Sequence, residues 1–403
     1  MSRVLFVIST LEGGGAERVL SNIVTHFPDN WYIDILVNSK ESVKYPYKGN
    51  ILSLSLPKIE EKKSPLNFLT EVVKRTVHLK KLKKENHYDA CISFLPSSNI
   101  SNVLSGNKYC KTIVSIHSSV IDDRFGFINK IFAFFFFRVL YIHTDKIVTV
   151  SKEIRTGLMK HLRLPEDKVD TIVNGYDGEW IREQIKHFHD NEKNNNIFAK
   201  EQKTVVTVGR IVTPKGQWHL IRAFSEVVKK EPKAKLIIIG EGELEKYLME
   251  LVDLYGLWAN VIFTGYIDNP FWYLASADIF VLPSLFEGYP NVLIEAIFCG
   301  VPCIGTDVHT GVREILAPGL DAAGERVKDM QEEEYGILIP VCSGQKYKHN
   351  EPLESAEQKM ADAIVMLLRD REKRMHYTQK SIERSEELEL RVIVRKWIDI
   401  ILK

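Results

Sequence analysis

Two glutamates eight residues apart, Glu287 and Glu295, form the clearest chemical pattern in this chain. They follow an apolar run at 279–283 that is typical of a buried strand, and the turn after it contains Gly288 and Pro290. Because proline suits the first position of a helix, we expect a helix near Pro290, with Glu295 about one and a half turns into it. Free N–H groups at such a helix start favour an anion, whereas a carboxylate beside them favours hydroxyl groups. A ligand that carries both phosphates and sugar hydroxyls would satisfy both.

The stretch E-G-Y-P-N-V-L-I-E-A at 287–296 resembles the E-x(7)-E motif of the retaining, nucleotide-sugar-dependent glycosyltransferases of family four. The preceding D-I-F-V-L-P-S and the following C-G-V-P-C-I-G-T-D extend this likeness. The resemblance implies the GT-B fold, ribose binding by Glu295 and binding of the donor sugar by Glu287. It also implies donor contacts from the backbone of the residues that follow Glu287: Gly288, Tyr289, Pro290 and Asn291.

Two cations, Arg210 and Lys215, flank a loop between another apolar run, V-V-T-V-G, and a helical pattern. The planar fork of an arginine and the point charge of a lysine could together clamp a diphosphate, although solvated surface cations are the alternative. The loop resembles the family's G-R-x(4)-K-G motif, whose Arg and Lys bind the leaving diphosphate where other glycosyltransferases use a divalent metal. The sequence contains no D-x-D motif. We therefore predict no metal and no cofactor other than the donor substrate.

Three further loops supply candidate residues. A glycine loop follows the first strand; it resembles the family's G-G-x-E-R loop, with Gly14 and Gly15 as the matching pair, and a plain tight turn is the alternative. His117 ends the strand T-I-V-S-I, where family members place a histidine that faces the transferred sugar; a structural histidine is the alternative. Tyr266 lies in T-G-Y, which resembles the loop that borders the nucleotide base.

Two other loops resemble family loops without a defined chemical role. N-G-Y-D at 174–177 is similar to a segment at the domain junction, and we interpret it as cleft-forming. T-G-V-R-E contains Gly311 and Glu314, but Thr310 stands where the family has a second glycine, which leaves its ligand contacts open.

The chain of 403 residues is long enough for two domains. Short apolar runs alternate with helical patterns in both halves, which predicts an α/β protein of two Rossmann-like domains that face a central cleft, the GT-B arrangement. Charged or polar tracts at 319–334 and 343–354 are interpreted as surface loops. The predicted domains are an acceptor domain at 1–180, a linker at 181–202, a donor domain at 203–385, and a C-terminal helix at 386–403 that packs back on the first domain.

Cysteine usage and hydropathy indicate the compartment. The five cysteines are scattered and mostly lie in apolar runs, as in reduced cytosolic proteins, and Cys299 and Cys303 lack partners at zinc-ligand spacing. The most hydrophobic stretch, 125–142, is interrupted by two cations and is too short to span a bilayer. No secretory signal opens the sequence. We expect a cytoplasmic protein, soluble or peripheral to the membrane.

A basic segment in the first half suggests where the acceptor comes from. Residues 1–180 contain 25 Lys and Arg against 19 Asp and Glu, whereas the rest of the chain has 29 against 34, so the first half favours an anionic partner. We interpret one helical segment there as a membrane-surface element, with a solvated helix face as the alternative. Its cations are Lys74, Arg75, Lys80, Lys81, Lys83 and Lys84. The Phe-rich run 132–137 is either a second membrane contact or core.

The sequence thus predicts metal-independent, retaining transfer of a hexose from a nucleoside-diphosphate sugar, with UDP as the expected nucleotide. The predicted acceptor is a glycan or a polyprenyl-linked saccharide at the inner face of the cell membrane, and no nucleic-acid partner is expected. Two alternatives stay open: a catalytically inactive, nucleotide-sugar-binding partner subunit, and a nicotinamide oxidoreductase. The absence of a G-x-G-x-x-G fingerprint argues against the oxidoreductase.

Overall fold

The computed structural model describes residues 2–56, 65–118, 136–186, 198, 202–309 and 311–403. The chain divides into two compact units. The first unit contains Met1–Gly175 together with Leu390–Lys403, and the second contains Tyr176–Glu389.

The described strands and helices alternate along most of the chain. The strands are β1 (Arg3–Val7), β2 (Tyr32–Val37), β3 (Asn50–Ser53), β4 (Ala90–Phe94), β5 (Lys111–Ile116), β6 (Lys146–Thr149), β7 (Val169–Thr171), β8 (Thr204–Val208), β9 (Lys235–Ile239), β10 (Val261–Gly265), β11 (Ile279–Leu282), β12 (Cys303–Thr306), β13 (Gln331–Glu333) and β14 (Gly336–Ile339). The helices are α1 (Gly15–Thr25), α2 (Pro65–Asn86), α3 (Pro96–Leu104), α4 (Lys152–Leu162), α5 (Gly178–Lys186), α6 (Gln217–Lys230), α7 (Glu245–Leu254), α8 (Phe271–Ser276), α9 (Asn291–Phe298), α10 (Val312–Leu316), α11 (Ser355–Arg369), α12 (Arg371–Glu387) and α13 (Leu390–Leu402).

The first unit is built on a parallel sheet of seven strands in the order β3-β2-β1-β4-β5-β6-β7. Its central strands are mostly apolar and almost entirely buried, as expected for a sheet covered by helices on both faces. Helix α13, from the far end of the chain, completes this core: the Trp397 ring lies 5.9 Å from that of Phe94, and Lys111 Nζ donates to the Ile401 carbonyl at 2.9 Å.

The second unit repeats the architecture with the strand order β10-β9-β8-β11-β12-β14-β13, in which only β13 runs antiparallel to its neighbour β14 among the described pairs. Its core lies between the sheet and helices such as α6 and α11, which contribute Trp218, Phe224, Met360 and Leu367. The predicted α/β class of two Rossmann-like units is confirmed.

Three local predictions differ from the structure. Strand β13 (Gln331–Glu333) lies within the tract interpreted as a surface loop; it is a three-residue, charged edge strand without an apolar pattern. Helix α5 (Gly178–Lys186) occupies the start of the predicted linker, whose residues 187–197 lie outside the described part of the chain. The last helix begins at Leu390 rather than 386, because Leu388 and Glu389 pair with Tyr176 instead of continuing α12.

Candidate functional site

The second sheet contains a topological switch point between β8 and β11. From β8 the chain adds β9 and β10 on one side, and it then returns to add β11, β12 and β14 on the other. Ligands of open α/β sheets bind outside the carboxyl ends of the strands at such a point. The loop after β8 carries Arg210 and Lys215, and the loop after β11 carries Glu287, so the strand order brings these predicted residues to one edge.

Backbone contacts hold these two loops together. Gly216 has a φ of +64°, and a Cβ added there would lie 2.3 Å from the Pro283 carbonyl oxygen. Only glycine therefore permits this close approach. In addition, the Leu285 N–H donates to the Pro214 carbonyl at 2.8 Å. The position of the Lys215 loop relative to the Glu287 loop is thus fixed by the main chain.

Lys215 and Glu287 form an ion pair at this junction, with 2.7 Å between Nζ and Oε1. Ser284, which is fully buried, donates its hydroxyl to the same Oε1 at 2.6 Å. The Ser284 carbonyl in turn accepts from Thr306 Oγ1 at 2.5 Å. Sequence reasoning assigned Lys215 and Glu287 to different parts of a ligand and missed Ser284, whose signal is a hydroxyl three residues before the glutamate at a strand end.

Arg210 differs from Lys215 in its surroundings. Its side chain is exposed, and no hydrogen bond or ion pair to another described residue engages its guanidinium. Its backbone is anchored, because its carbonyl accepts from Gln217 Nε2 at 3.0 Å. The site therefore contains one cation paired with a carboxylate and a second cation that faces solvent.

The turn between Glu287 and α9 packs against a second glycine. Gly311 has a φ of +81°, and a Cβ there would lie 2.8 Å from both Pro290 Cδ and Tyr289 Cα. Pro290 is the N-cap residue (φ −72°, ψ 104°). The first helical residue is therefore Asn291 and not Pro290. Thr310 lies outside the described residues.

Tyr289 was predicted to contact the donor through its backbone, and its side chain is directed into the protein. It is 6% exposed, and its buried hydroxyl has no hydrogen-bond partner among the described residues. Burial raises the pKa of this phenol. The donor contacts predicted for Gly288, Tyr289, Pro290 and Asn291 involve the backbone, so they stay a prediction.

Glu295 lies in the second turn of α9 and is partly exposed. Its Oε1 accepts from the hydroxyl of Tyr176 at 2.5 Å. Tyr176 is the third residue of the N-G-Y-D segment, for which the sequence suggested no chemical role. No signal in the sequence connects it with a glutamate 119 positions away.

Tyr266 lies beyond β10, where the ends of three adjacent strands are lined by Gly209, Gly240 and Gly265, all with positive φ. Tyr266 is 68% exposed. Its N–H donates to Glu241 Oε1 at 3.1 Å, which fixes the backbone beside this strand end.

The glycine loop of the first unit follows β1 and opens α1. Gly13 has a φ of +74°, and Gly14 is the N-cap residue. Glu17 folds back over the loop, since a Cβ at Gly14 would lie 2.1 Å from its Oε2, and Thr10 Oγ1 donates to its Oε1 at 3.4 Å. Partial burial raises the pKa of Glu17. This glutamate thus supports the loop, while Gly13 and Gly15 stay exposed.

His117 follows the end of β5, as predicted. Its Nε2 lies 2.9 Å from Ser115 Oγ, and its ring packs 5.4 Å from the Phe94 ring. Burial lowers the pKa of His117 to about 4. The imidazole is therefore neutral at neutral pH and can act as a hydrogen-bonding group rather than as a cation.

The basic helix α2 is less uniform than its sequence suggested. Arg75 is fully buried and pairs with Glu71, and Lys83 is fully buried with its Nζ donating to Asn102 O, Gly106 O and Thr112 Oγ1. The prediction that six cations face a membrane is therefore wrong for Arg75 and Lys83. The cations exposed on this helix are Lys74, Lys80, Lys81 and Lys84. Of the Phe-rich run, residues 132–135 lie outside the described part of the chain, whereas Phe136 is 50% exposed.

One group of potential metal ligands is found among the described residues: His219, Cys342 and Glu354. His219 Nδ1 lies 2.7 Å from Glu357 Oε1, and Glu354 caps α11. Arg222 donates to the same Glu357 oxygen at 2.8 Å. These bonds join α6 to α11 and account for the cluster as part of the fold.

Comparison with known proteins identifies the class. The model of Glycosyltransferase Family 4 matches residues 13–180, and that of Glycosyl transferases group 1 matches residues 188–335. An uncharacterised glycosyltransferase of Methanocaldococcus jannaschii is 30% identical over 350 residues, which are 84% of this chain and 85% of the relative. The chain belongs to glycosyltransferase family four.

One sequence relative and two solved structures support this assignment. The N-acetylgalactosamine-N,N'-diacetylbacillosaminyl-diphospho-undecaprenol 4-alpha-N-acetylgalactosaminyltransferase of Campylobacter jejuni is 25% identical over the full length of both chains. HepE of Anabaena, solved with UDP and glucose, covers 100% of both chains with a TM-score of 0.74 at 15% identity. WaaG, a glycosyltransferase of lipopolysaccharide biosynthesis, gives a TM-score of 0.66 at 16% identity over 99% of each chain. These likenesses confirm the GT-B fold.

Among the helices that the structure describes, none is both long and apolar enough to cross a membrane.

Proposed function

We propose that this chain transfers a hexose from a UDP-sugar to a lipid-linked glycan, with retention of configuration and without a metal ion. The observation that carries the proposal is the meeting of Lys215 and Glu287 at the switch point of the second sheet, with the exposed Arg210 on the same loop as Lys215. A diphosphate needs two or more cationic donors, and a sugar needs hydrogen-bond acceptors such as a carboxylate. Both are present at one edge of the sheet.

In this proposal Arg210 and Lys215 bind the diphosphate, Glu287 binds the donor sugar and Glu295 binds the ribose. As the bond to the sugar breaks, negative charge grows on the leaving diphosphate. Arg210 and Lys215 then interact more strongly than in the ground state, and this difference accelerates the reaction. Cations in these positions supply the stabilisation for which other transferases use a divalent metal.

The ion pair of Lys215 with Glu287 has a consequence for donor binding. The pair is nearly neutral, and both side chains are largely buried, with exposed fractions of 22% for Lys215 and 8% for Glu287. A diphosphate brings two negative charges, so Lys215 must share its ammonium between the phosphate and the carboxylate. Ser284 still holds Glu287 Oε1 when that occurs, which keeps the carboxylate aimed at the sugar.

Retention requires that the acceptor attack the face from which the diphosphate leaves. Retaining glycosidases use two carboxyl groups on opposite faces of the sugar, roughly 5 Å apart. Here Glu287 and Glu295 belong to one turn-and-helix element, and both are engaged by neighbours on Oε1. That arrangement suits donor binding better than double displacement. We assign the role of base to the departing phosphate oxygen.

The acceptor side of the proposal rests on the relatives and on the first unit. The Campylobacter jejuni relative acts, by its name, on a saccharide carried by diphospho-undecaprenol. In the first unit, the loop with Gly14 and Gly15 and the neutral His117 lie beyond the ends of β1 and β5. We assign the sugar-facing role of the family to His117, which its neutral state allows.

One face of α2 supports contact with the inner leaflet of the membrane. Leu69, Val73 and Val77 are more than half exposed, although each is apolar. They follow helical spacing, and the exposed Lys80, Lys81 and Lys84 continue the same helix. An apolar face beside lysines matches a surface of anionic lipids. The proposed place of action is therefore the cytoplasmic face of the membrane.

The decisive experiment is a screen of UDP-sugars with a polyprenyl-diphosphate-linked saccharide, with and without EDTA. The proposal expects UDP release and a glycosylated lipid in both conditions, with the anomeric configuration of the donor preserved by NMR. Strict dependence on Mg²⁺ or Mn²⁺ would overturn the metal independence. A product with inverted anomeric configuration would overturn the retaining mechanism. Binding of UDP-sugars without any turnover would instead identify an inactive partner subunit.

A further inference from the structure

Tyr176 occupies a special place in the second unit. It is the first residue of that unit, and its N–H donates to the Leu388 carbonyl at 3.2 Å. It also forms a parallel bridge with Glu389, the last residue of the unit. The next residue, Asp177, accepts from the N–H groups of Glu179 and Trp180 at 2.9 and 3.0 Å. The backbone of Tyr176 is therefore fixed on both sides.

The side chain of Tyr176 is fixed as well. It is 2% exposed, and its ring lies 6.2 Å from the ring of Phe298 at an angle of 53°. Phe298 and Glu295 are three residues apart on α9, so they share one face of the helix. The Tyr176 ring packs on Phe298, and the Tyr176 hydroxyl donates to Glu295 Oε1 at 2.5 Å. A tyrosine has only two side-chain torsions, and packing sets both.

We infer that Tyr176 is a positioning residue for ribose recognition: its hydroxyl orients the carboxylate of Glu295 toward the two ribose hydroxyls of the nucleotide. The inference rests on the ribose role of Glu295 in the proposed function. A glutamate side chain has three torsions, and a partly exposed one samples several rotamers. A short hydrogen bond to a charged acceptor is among the stronger ones, so the rigid donor selects one rotamer before the nucleotide arrives.

The selected rotamer matters for specificity. A carboxylate in a fixed orientation accepts from both the 2′- and 3′-hydroxyl, whereas a carboxylate that rotates freely gains less from the second hydroxyl. A site built around a substrate hydroxyl discriminates against an analogue that lacks it, because the acceptor is then left unpaired. Tyr176 should therefore raise the preference for ribonucleotides over 2′-deoxyribonucleotides.

The variant Tyr176→Phe removes one hydroxyl and keeps the ring on Phe298. Calorimetry would measure its affinity for UDP or GDP, whichever the wild type binds more tightly, and for the matching 2′-deoxy form. We expect the ribonucleotide to bind about 5- to 10-fold more weakly and the deoxy form to change less than about twofold, since one charge-assisted hydrogen bond is lost. The preference for ribose then falls, a change that loss of stability alone would not produce.

Tyr88→Phe is the matched control. Tyr88 is also buried, and its hydroxyl donates to a carboxylate oxygen, Asp34 Oδ2, at 2.5 Å, but this bond lies in the first unit. This control should leave both affinities unchanged. An unchanged ribose preference in Tyr176→Phe, or an equal loss in Tyr88→Phe, would overturn the inference.

Glu295→Gln separates this inference from the proposed function. If that variant binds the ribonucleotide as well as wild type, or if the wild type binds neither UDP nor GDP, the ribose role itself fails. If Glu295→Gln weakens binding and Tyr176→Phe does not, only the positioning role fails. In the double variant, Tyr176→Phe should add little to Glu295→Gln, because both act through one carboxylate.

Discussion

The switch points of the two sheets have the same topology but different chemistry. At the carboxyl ends of β1, β2 and β4, Arg75 is enclosed by residues of its own unit. Its Nη2 donates to Asn38 Oδ1 at 2.6 Å and to Ser9 Oγ at 3.1 Å, Nη1 donates to Ser97 Oγ at 3.3 Å, and Glu71 pairs with the charge. At the ends of β8 and β11, Lys215 is paired with Glu287, but Arg210 faces solvent.

This difference shows how one architecture serves two purposes. A buried cation that is enclosed by polar partners stabilises its own crevice only if those partners stay in place. An exposed cation contributes little to stability and is available to a ligand. The first switch point is therefore built as structure, whereas the second retains charge for an anionic substrate.

The largest effect expected concerns the enclosed cation. Arg75→Ala leaves the Glu71 carboxylate buried without its partner, so the free energy of unfolding of the first unit should fall by about 3–5 kcal/mol. Urea denaturation measures this change. Lys74→Ala, exposed on the same helix, should stay within about 0.5 kcal/mol. A similar small change in Arg75→Ala would show that the enclosed network does not stabilise the unit.

For Arg210, which faces solvent, we expect a loss of catalysis without a loss of stability. Arg210→Ala should lower kcat by about 100- to 1000-fold, because the lost interaction strengthens as charge grows on the leaving group. The melting temperature should stay unchanged. Arg371→Ala, an exposed arginine at the start of α12, is the control for loss of surface charge. Loss of stability with normal kcat in Arg210→Ala would make the two switch points alike.

Helix α2 carries both buried and exposed cations, and only the exposed ones can bind an anionic membrane surface. Reversing the exposed Lys80, Lys81 and Lys84 to Glu should abolish flotation with anionic vesicles at low salt, since each lysine near such a surface contributes about 1 kcal/mol. Transfer to a lipid-linked acceptor should slow, while hydrolysis of the free donor continues. Added salt should weaken flotation of the wild type in the same direction.

The control for this reversal is an equal change of charge in the second unit. Lys229, Lys233 and Lys246 are exposed there, and their replacement by Glu should leave flotation intact. Equal losses in the two triple variants would show a response to net charge rather than a docking face on α2.

The smallest effect expected concerns the hydroxyl that supports Glu287. Ser284→Ala removes the 2.6 Å hydrogen bond to Oε1 and should lower kcat about tenfold, with the affinity for UDP unchanged. Ser225→Ala is matched in burial, but its hydroxyl donates to the Arg222 carbonyl of its own helix at 2.7 Å. If the two variants have the same kcat, Ser284 has only a structural role.

Apolar runs predicted the strands well because a parallel sheet covered on both faces needs continuous hydrophobic segments. Helix α2 shows the limit of the same reasoning. Its apolar Val77 is 66% exposed, while its cations Arg75 and Lys83 are fully buried. Periodicity identifies the faces of a helix but not the residues that each face contacts in the fold. Here Glu71 stabilises the buried Arg75, and backbone carbonyls stabilise the buried Lys83.

The candidate site shows the same division. Arg210, Lys215 and Glu287 were predicted because each belongs to a local motif beside a strand end. Tyr176 was missed because its role depends on a contact across the fold with Glu295, 119 positions away. Ser284 lies only three residues before Glu287, but spacing alone does not show that its hydroxyl is turned toward the carboxylate.

The return of α13 to the first unit also constrains how the protein forms during synthesis. Ile393, Trp397 and Ile401 are buried with the residues of β1 and β4, so that hydrophobic core is incomplete until residues 390–402 have been synthesised. Domains usually complete in the order in which they are made. Here the second unit is synthesised before α13, so the first unit can complete its core only after the second unit has been made.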